Sequence, residues 1–121
     1  MSALMQKSFD TPAEVRPFEH GTGHLDLLDA GGGLVGRAFF EPGWRWSKDV
    51  GPIAGTASCQ ASHMGYVVSG RMKIVMDDGD EAEFGPGDLM VCPPGHDAWT
   101  IGGETCVVVD WQGVADYAKR S

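Results

Sequence analysis

Cysteine and histidine are the residues of this 121-residue chain whose types suit chemistry, and there are three of the first and four of the second. A thiolate beside imidazoles is a ligand set for zinc, if the side chains converge. Cys59 and His63 stand four apart, and His96 follows the rigid corner Pro93-Pro94-Gly95. Spacing alone does not bring them together. On one straight strand positions 59 and 63 would lie ~13 Å apart, too far to share an ion. A shared site therefore needs a turn through Gln60-Ala61-Ser62, which are small or polar. Taken without further context, the same three residues read as a core thiol, a buried neutral imidazole and a rim histidine. The other candidates have bland readings. Cys92 lies in Leu89-Met-Val-Cys92 and Cys106 in Cys106-Val-Val-Val109, where a free thiol behaves as a small apolar core residue. His20 and His24 fall in a poorly patterned stretch and read as surface residues.

The elements that must position these residues are short. Eighteen glycines and seven prolines punctuate the chain, which points to many brief strands joined by tight turns. Strands are expected at Leu34 to Phe40, Trp44 to Trp46, Tyr66 to Val68, Met72 to Met76, Glu81 to Phe84, Leu89 to Cys92, Ala98 to Ile101 and Thr105 to Asp110. Ser69-Gly70 between two β-rich runs is a hairpin signal. No segment is long enough for a helical crossover between parallel strands. The reading is all-β: a small antiparallel β-barrel or jelly roll over residues 34–113. An irregular N-terminal arm, residues 1–33, packs on it, with a candidate edge strand around Leu25 to Leu28. Thr11-Pro12-Ala13-Glu14 is suited to one helical turn, and the tail 114–121 to a short terminal helix.

Composition narrows the partners. The formal net charge is −8, and Lys and Arg form no stripe, which disfavours nucleic acid and anionic lipid. No run approaches the ~20 apolar residues of a spanning helix. The first ten residues carry one Lys and no apolar h-region, and three dispersed cysteines without a CxxC suit a reducing compartment. The expectation is a cytoplasmic protein with a small-molecule partner.

Two motifs give the chain a family. Tyr66-Val67-Val68-Ser69-Gly70-Arg71 resembles the hairpin that closes the first cupin motif. Gly87, Pro93 and Gly95, entered through Gly85-Pro86-Gly87-Asp88, match the spacing of the second. The chain also resembles small bacterial cupins carrying a Cys-x-x-x-His pair and a Pro-Pro-Gly-His-Asp-Ala-Trp segment, here Pro93 to Trp99. Against this pattern the usual three-His-plus-Glu set is absent. His63 stands at the Glu position, Cys59 at the second His position and Ala57 at the first. Ala98 stands where motif two has its His, and His96 lies two residues earlier on the same parity.

The resemblance implies a metal site at Cys59, His63 and His96. Zinc is the first choice for that donor set, with copper, iron and manganese as alternatives. It also implies a small-molecule pocket inside the barrel, with Trp44, Trp46, Met72 and Ala98 on its wall, and a homodimer; by their pattern alone Trp44 and Trp46, which share one face, read as a core pair. The implied function is that of a metal-binding cupin of unassigned activity, with a lyase, isomerase or hydrolase reaction. A non-enzymatic binding or sensor module is the alternative, and a metal-dependent dioxygenase the third. Asp97, of opposite parity to His96, reads as a supporting or turn residue. Trp99 and Trp111 read as packing residues.

Overall fold

A computed structural model describes residues 4–120. It holds nine strands: β1 (Glu14–Pro17), β2 (Gly23–Asp29), β3 (Leu34–Phe40), β4 (His63–Ser69), β5 (Arg71–Met76), β6 (Glu81–Phe84), β7 (Leu89–Cys92), β8 (His96–Ile101) and β9 (Cys106–Asp110). Two one-turn helices, α1 (Trp46–Asp49) and α2 (Gly51–Ala54), lie in the connection from β3 to β4. Every ladder is antiparallel. The strands form a six-stranded sheet in the order β1-β2-β3-β9-β4-β7 and a three-stranded sheet in the order β6-β5-β8. The described ladders thus make two sheets rather than one closed hydrogen-bonded cylinder. No helix among the described residues is long and apolar enough to cross a membrane.

Period-two alternation builds the core between the sheets. Ala38 and Phe40 of β3, Val67 of β4, Met72 and Ile74 of β5, and Val108 of β9 all face inward and are buried. The same parity carries polar residues inward where they follow apolar ones. His63 opens β4, His96 opens β8, and Asp110 ends the Cys106, Val108, Asp110 row. The register sets Gly65 opposite Asp110 and His63 opposite Cys92, so these polar positions gather at one end of the sandwich.

Five local expectations are corrected. The arm is not irregular: the strand expected around Leu25 to Leu28 is β2, but it lies inside the larger sheet with β1 at the edge, and Glu14 begins β1 rather than belonging to a helical turn. The alternation of β2 is masked in sequence because Asp26 is buried, facing Arg37 at 3.1 Å. Trp44-Arg45-Trp46 is not a strand. Arg45 is extended, so the two indoles do share a face, but α1 starts at Trp46. Two carboxylates distant from that segment's own alternation decide this: Asp49 accepts the Arg45 N–H at 2.8 Å, and Asp97 accepts the Ser47 N–H at 3.0 Å. The tail forms bends and turns without a helix. It is pinned instead by Arg16, which donates to the carbonyls of Val114 and Tyr117 at 2.9 Å each. Trp111 is 44% exposed and is not a packing residue.

The β4–β5 hairpin turns on Gly70, whose φ is +74°; a Cβ there would meet Thr105 O at 2.4 Å and Cys106 Cα at 2.5 Å. Positive φ and backbone contact act together, so neither rotamer choice nor small shifts relieve a side chain. Gly70→Ala is expected to destabilise the protein by ~3 kcal/mol or more. Urea denaturation followed by far-UV circular dichroism checks this, and an unchanged midpoint refutes it.

Candidate metal centre

The free edge of β8 organises the site. The connection from β3 to β4 runs along it and touches it at two isolated bridges, Arg45 opposite Trp99 and Cys59 opposite His96. Cys59 and His96 exchange backbone hydrogen bonds, Cys59 N–H to His96 O at 2.7 Å and His96 N–H to Cys59 O at 3.3 Å. The Cys59 carbonyl also accepts from Gly95 at 2.7 Å, and Ser58 Oγ donates to Asp77 at 2.9 Å. The segment is thus held on both sides before it turns through 60–62 into β4.

This turn is what spacing alone left open. Cys59 Sγ lies 3.6 Å from His63 Nε2, and the donor atoms of Cys59, His63 and His96 all lie within 4.8 Å of one another. All three residues are buried. Donors around a tetrahedral ion with thiolate and imidazole ligands are separated by about 3.5 Å, so the set needs only a small closure to hold one. The orientation of the rings fits as well. His63 Nδ1–H donates to Asp110 Oδ2 at 2.6 Å, and His96 Nδ1–H donates to the Pro93 carbonyl at 2.8 Å. Each histidine therefore turns its other nitrogen, Nε2, toward the Cys59 sulfur, where an ion would take the place of the proton between them, in the pattern by which outer partners orient metal-binding imidazoles.

Asp110 was not anticipated. Its signal was the inward parity of Cys106 and Val108 on the same strand. Its second oxygen accepts the Gln112 and Gly113 N–H groups at 2.9 and 3.1 Å, which fixes the carboxylate. Gly113 is a second unanticipated contributor: a Cβ there would meet His63 Nδ1 at 2.6 Å, so the ring has its place only because position 113 has no side chain. Tyr117 packs edge-on against His63 with centroids 5.3 Å apart. Asp97, in contrast, binds Ser47 and Arg45 and belongs to the turn before α1.

The charges of these groups support one another. Burial pushes the Cys59 thiol up, but hydrogen bonds from His63 and His96 outweigh it and hold the group at about 6. Burial pulls His63 down, whereas Asp110 and Cys59 hold it up at about 9. His96 is likewise opposed by burial and raised to about 10 by the sulfurs of Cys59 and Cys92. Without a metal, the arrangement is a thiolate between two imidazolium rings, with the Asp110 carboxylate behind one of them. Cys106 is a different kind of thiol. Burial pushes it up to about 12, and it stays protonated.

Trp44, Trp46, Met72 and Ala98 line a cavity that His63, His96 and Asp110 also border. Its volume is about 40 Å³, room for roughly three waters or a ligand of a few non-hydrogen atoms. Trp46 and Tyr117 also line a wider groove outside, which reaches Cys59. Of the remaining candidates, His20 binds Asp49 at 2.8 Å and His24 stacks on Phe39, both away from this cluster. Cys92 and Cys106 are buried and free.

An antiparallel two-sheet fold enclosing a small cavity, with histidines at one end of it, defines a class that known proteins share. The chain belongs to the cupin family described as the EutQ-like cupin domain, which matches residues 39–114. Among solved structures it is similar to a sugar phosphate isomerase from a cupin superfamily from Silicibacter pomeroyi, at 18% identity and a TM-score of 0.63, covering 90% of this chain and 75% of that one. It is similar to an uncharacterised conserved protein with a double-stranded β-helix domain from Klebsiella pneumoniae, at 20% identity and 0.59, covering 93% and 86%. It is also similar to the Clostridium difficile EutQ protein, at 15% identity and 0.56, covering 82% and 67%. No curated protein matches the chain. At these identities the likeness to solved structures is one of fold.

Asp110→Asn keeps the oxygen that binds Gln112 and Gly113 while removing the charge behind His63. In the metal-free protein the His63 midpoint, followed by NMR of the imidazole, is expected to fall from about 9 toward the ordinary histidine value of ~6.5. A midpoint that does not move means Asp110 is not what holds the proton on His63.

Proposed function

We propose that this protein is a metal-binding cupin, with an ion held by Cys59, His63 and His96 at the end of a small-molecule cavity. The observation that carries the reading is the convergence of three buried donors, with both Nδ1–H groups already occupied. One thiolate and two imidazoles favour zinc. Iron or manganese would ordinarily recruit a carboxylate, and Asp110 is engaged by His63 and two backbone N–H groups. Three protein ligands leave a position at which a bound ion polarises a substrate oxygen or activates a water. The chain's own residues orient that ion: Asp110 and Pro93 hold the two rings, while the apolar wall excludes bulk water. The similarity to a cupin sugar phosphate isomerase is consistent with an isomerase or lyase reaction, although the small cavity does not suit a whole sugar phosphate as it stands. Three unpaired cysteines favour a reducing compartment such as the cytoplasm.

Metal analysis of untagged protein purified without added metal tests the site. Near-stoichiometric zinc is expected in the natural chain and none in Cys59→Ala; a metal retained by the variant removes Cys59 from the site. Asp110→Asn should weaken zinc affinity 10–100-fold. The sign of the pH dependence follows from the ligands. Binding requires the thiolate and neutral imidazoles, and the raised imidazole values mean that protons compete above neutrality. Zinc affinity should therefore rise with pH until about 9 to 10, by about tenfold per pH unit for each proton released. An affinity that falls or stays level over that interval contradicts the ligand set.

A second reading is favoured by the line from Cys59 through His63 to Asp110, with separations of 3.6 and 2.6 Å. It has the form of an oriented thiol nucleophile. Under it the purified protein carries no metal and Cys59 is alkylated by iodoacetamide at neutral pH; under the metal reading zinc protects Cys59.

The homodimer implied by the resemblance is proposed to form through the outer face beside the edge strand β7. Tyr66, Val68, Leu89 and Val91 are exposed there on adjacent strands. Sedimentation equilibrium should give a dimer that Leu89→Lys with Val91→Lys converts to a monomer. A monomeric natural protein rules it out.

A further inference from the structure

Two voids meet the donor cluster. His63 and His96 border the inner cavity of about 40 Å³, and Cys59 borders the outer groove, whose volume is about 680 Å³. The cavity holds only a few heavy atoms, whereas the groove is the size of a small-molecule site. Among the described residues, only Trp46 and Tyr117 line both, so these two form the partition between them. Cys59 is 2% exposed although it borders the groove, because its sulfur is turned inward to His63 at 3.6 Å. Tyr117 packs on that same imidazole.

The two halves of the partition are held differently. Trp46 begins α1, and that turn is fixed by Asp49 on the Arg45 N–H, by Asp97 on the Ser47 N–H and by the bridge from Arg45 to Trp99. The main chain around Tyr117 is anchored as well: Val114 and Ala118 are each 3% exposed, and Arg16 donates to the carbonyls of Val114 and Tyr117. The Tyr117 ring is not. It rests edge-on against His63 and Phe18, with centroids 5.3 and 6.2 Å apart, and no hydrogen bond ties its hydroxyl to another described residue. A ring held by packing alone can change rotamer without breaking a hydrogen bond, and the groove beside it has room to receive it.

We infer that Tyr117 is a gate: its ring swings off His63 into the groove and joins groove and cavity into one site. A substrate larger than the cavity then has its reacting end at the donor cluster and its remainder in the groove. There Val50 and Ile53 meet apolar groups, and Gln60, Ser62 and Gln112 meet hydrogen-bonding ones. The inference rests on the reading of the cluster as the functional centre, and it deepens that reading by assigning the route and the larger part of the binding site.

Iodoacetamide labelling of the full-length, metal-free protein, read at each cysteine by peptide mass spectrometry, tests the gate. Cys92 and Cys106 are 2% and 0% exposed and border neither void, so they report global unfolding. In the natural protein Cys59 should label faster than both, at a rate that low urea leaves unchanged, since local opening exposes little new surface. Tyr117→Ala should raise the Cys59 rate about tenfold with Cys106 unchanged, and Tyr117→Phe, which keeps the ring, should label at the natural rate. If Tyr117→Ala does not fold, NMR relaxation dispersion on the natural protein takes its place: the Tyr117 and His63 ring signals should share one exchange process. Cys59 labelling that tracks Cys106, an equal rise at all three cysteines in Tyr117→Ala, or ring signals without common exchange each overturn the gate. Zinc uptake separates this inference from the metal reading. Faster uptake by Tyr117→Ala to the same final stoichiometry supports both, and an unchanged uptake rate overturns the gate alone. Protein that takes no zinc but shows the selective labelling of Cys59 supports the gate and sinks the metal reading.

Discussion

Cys59 and His96 exchange two backbone hydrogen bonds across a bridge only one residue long, and the candidate centre hangs on that pairing. It sets the two side chains beside each other at the free edge of β8. The second bridge on that edge, Arg45 opposite Trp99, with the Thr100 N–H donating to the Trp44 carbonyl at 3.1 Å, brings Trp44 and Trp46 over the cavity. The remaining step, three residues of turn, delivers His63 to within 3.6 Å of the sulfur. A short backbone contact thus takes the place of a long ladder in fixing positions far apart in sequence.

The electrostatics follow from that enclosure. A buried thiolate is unfavourable alone, and so is a buried imidazolium; here each is stabilised by the other. Asp110 extends the chain of charges, and its own carboxylate is held low by His63 and two backbone N–H groups, against burial. Removing one member leaves a neighbouring buried charge unpaired, so the cluster behaves as a unit. An ion that accepts a thiolate and two neutral imidazoles replaces protons in the same place.

Much of the two-sheet region was legible because turn residues recur at short intervals from Leu34 to Asp110. The centre was legible only through resemblance to the family motifs, since Cys59, His63 and His96 have no local pattern that predicts convergence. What was missed has a common physical cause: contacts distant in sequence override local rhythm. Asp26 is buried against Arg37 and conceals β2. Asp97 reaches the Ser47 N–H from β8 and helps begin a helix where alternation suggested a strand. Arg16 pins the tail from nearly a hundred residues away, in place of the helix its composition suggested. Asp110 could have been found by extending the inward parity of β9 by one step.

The order in which the pieces leave the ribosome has a consequence. A nascent chain that has reached Ile101 already contains the thiol and both imidazoles. It lacks Asp110, the glycine that makes room for the His63 ring, and the segment carrying Tyr117 that walls the cavity. During synthesis the donors therefore exist before the groups that orient and shelter them. An ion captured at that stage would meet flexible ligands in open water, and selection among competing metals would be left to the closing of the segment from Asp110 to Tyr117.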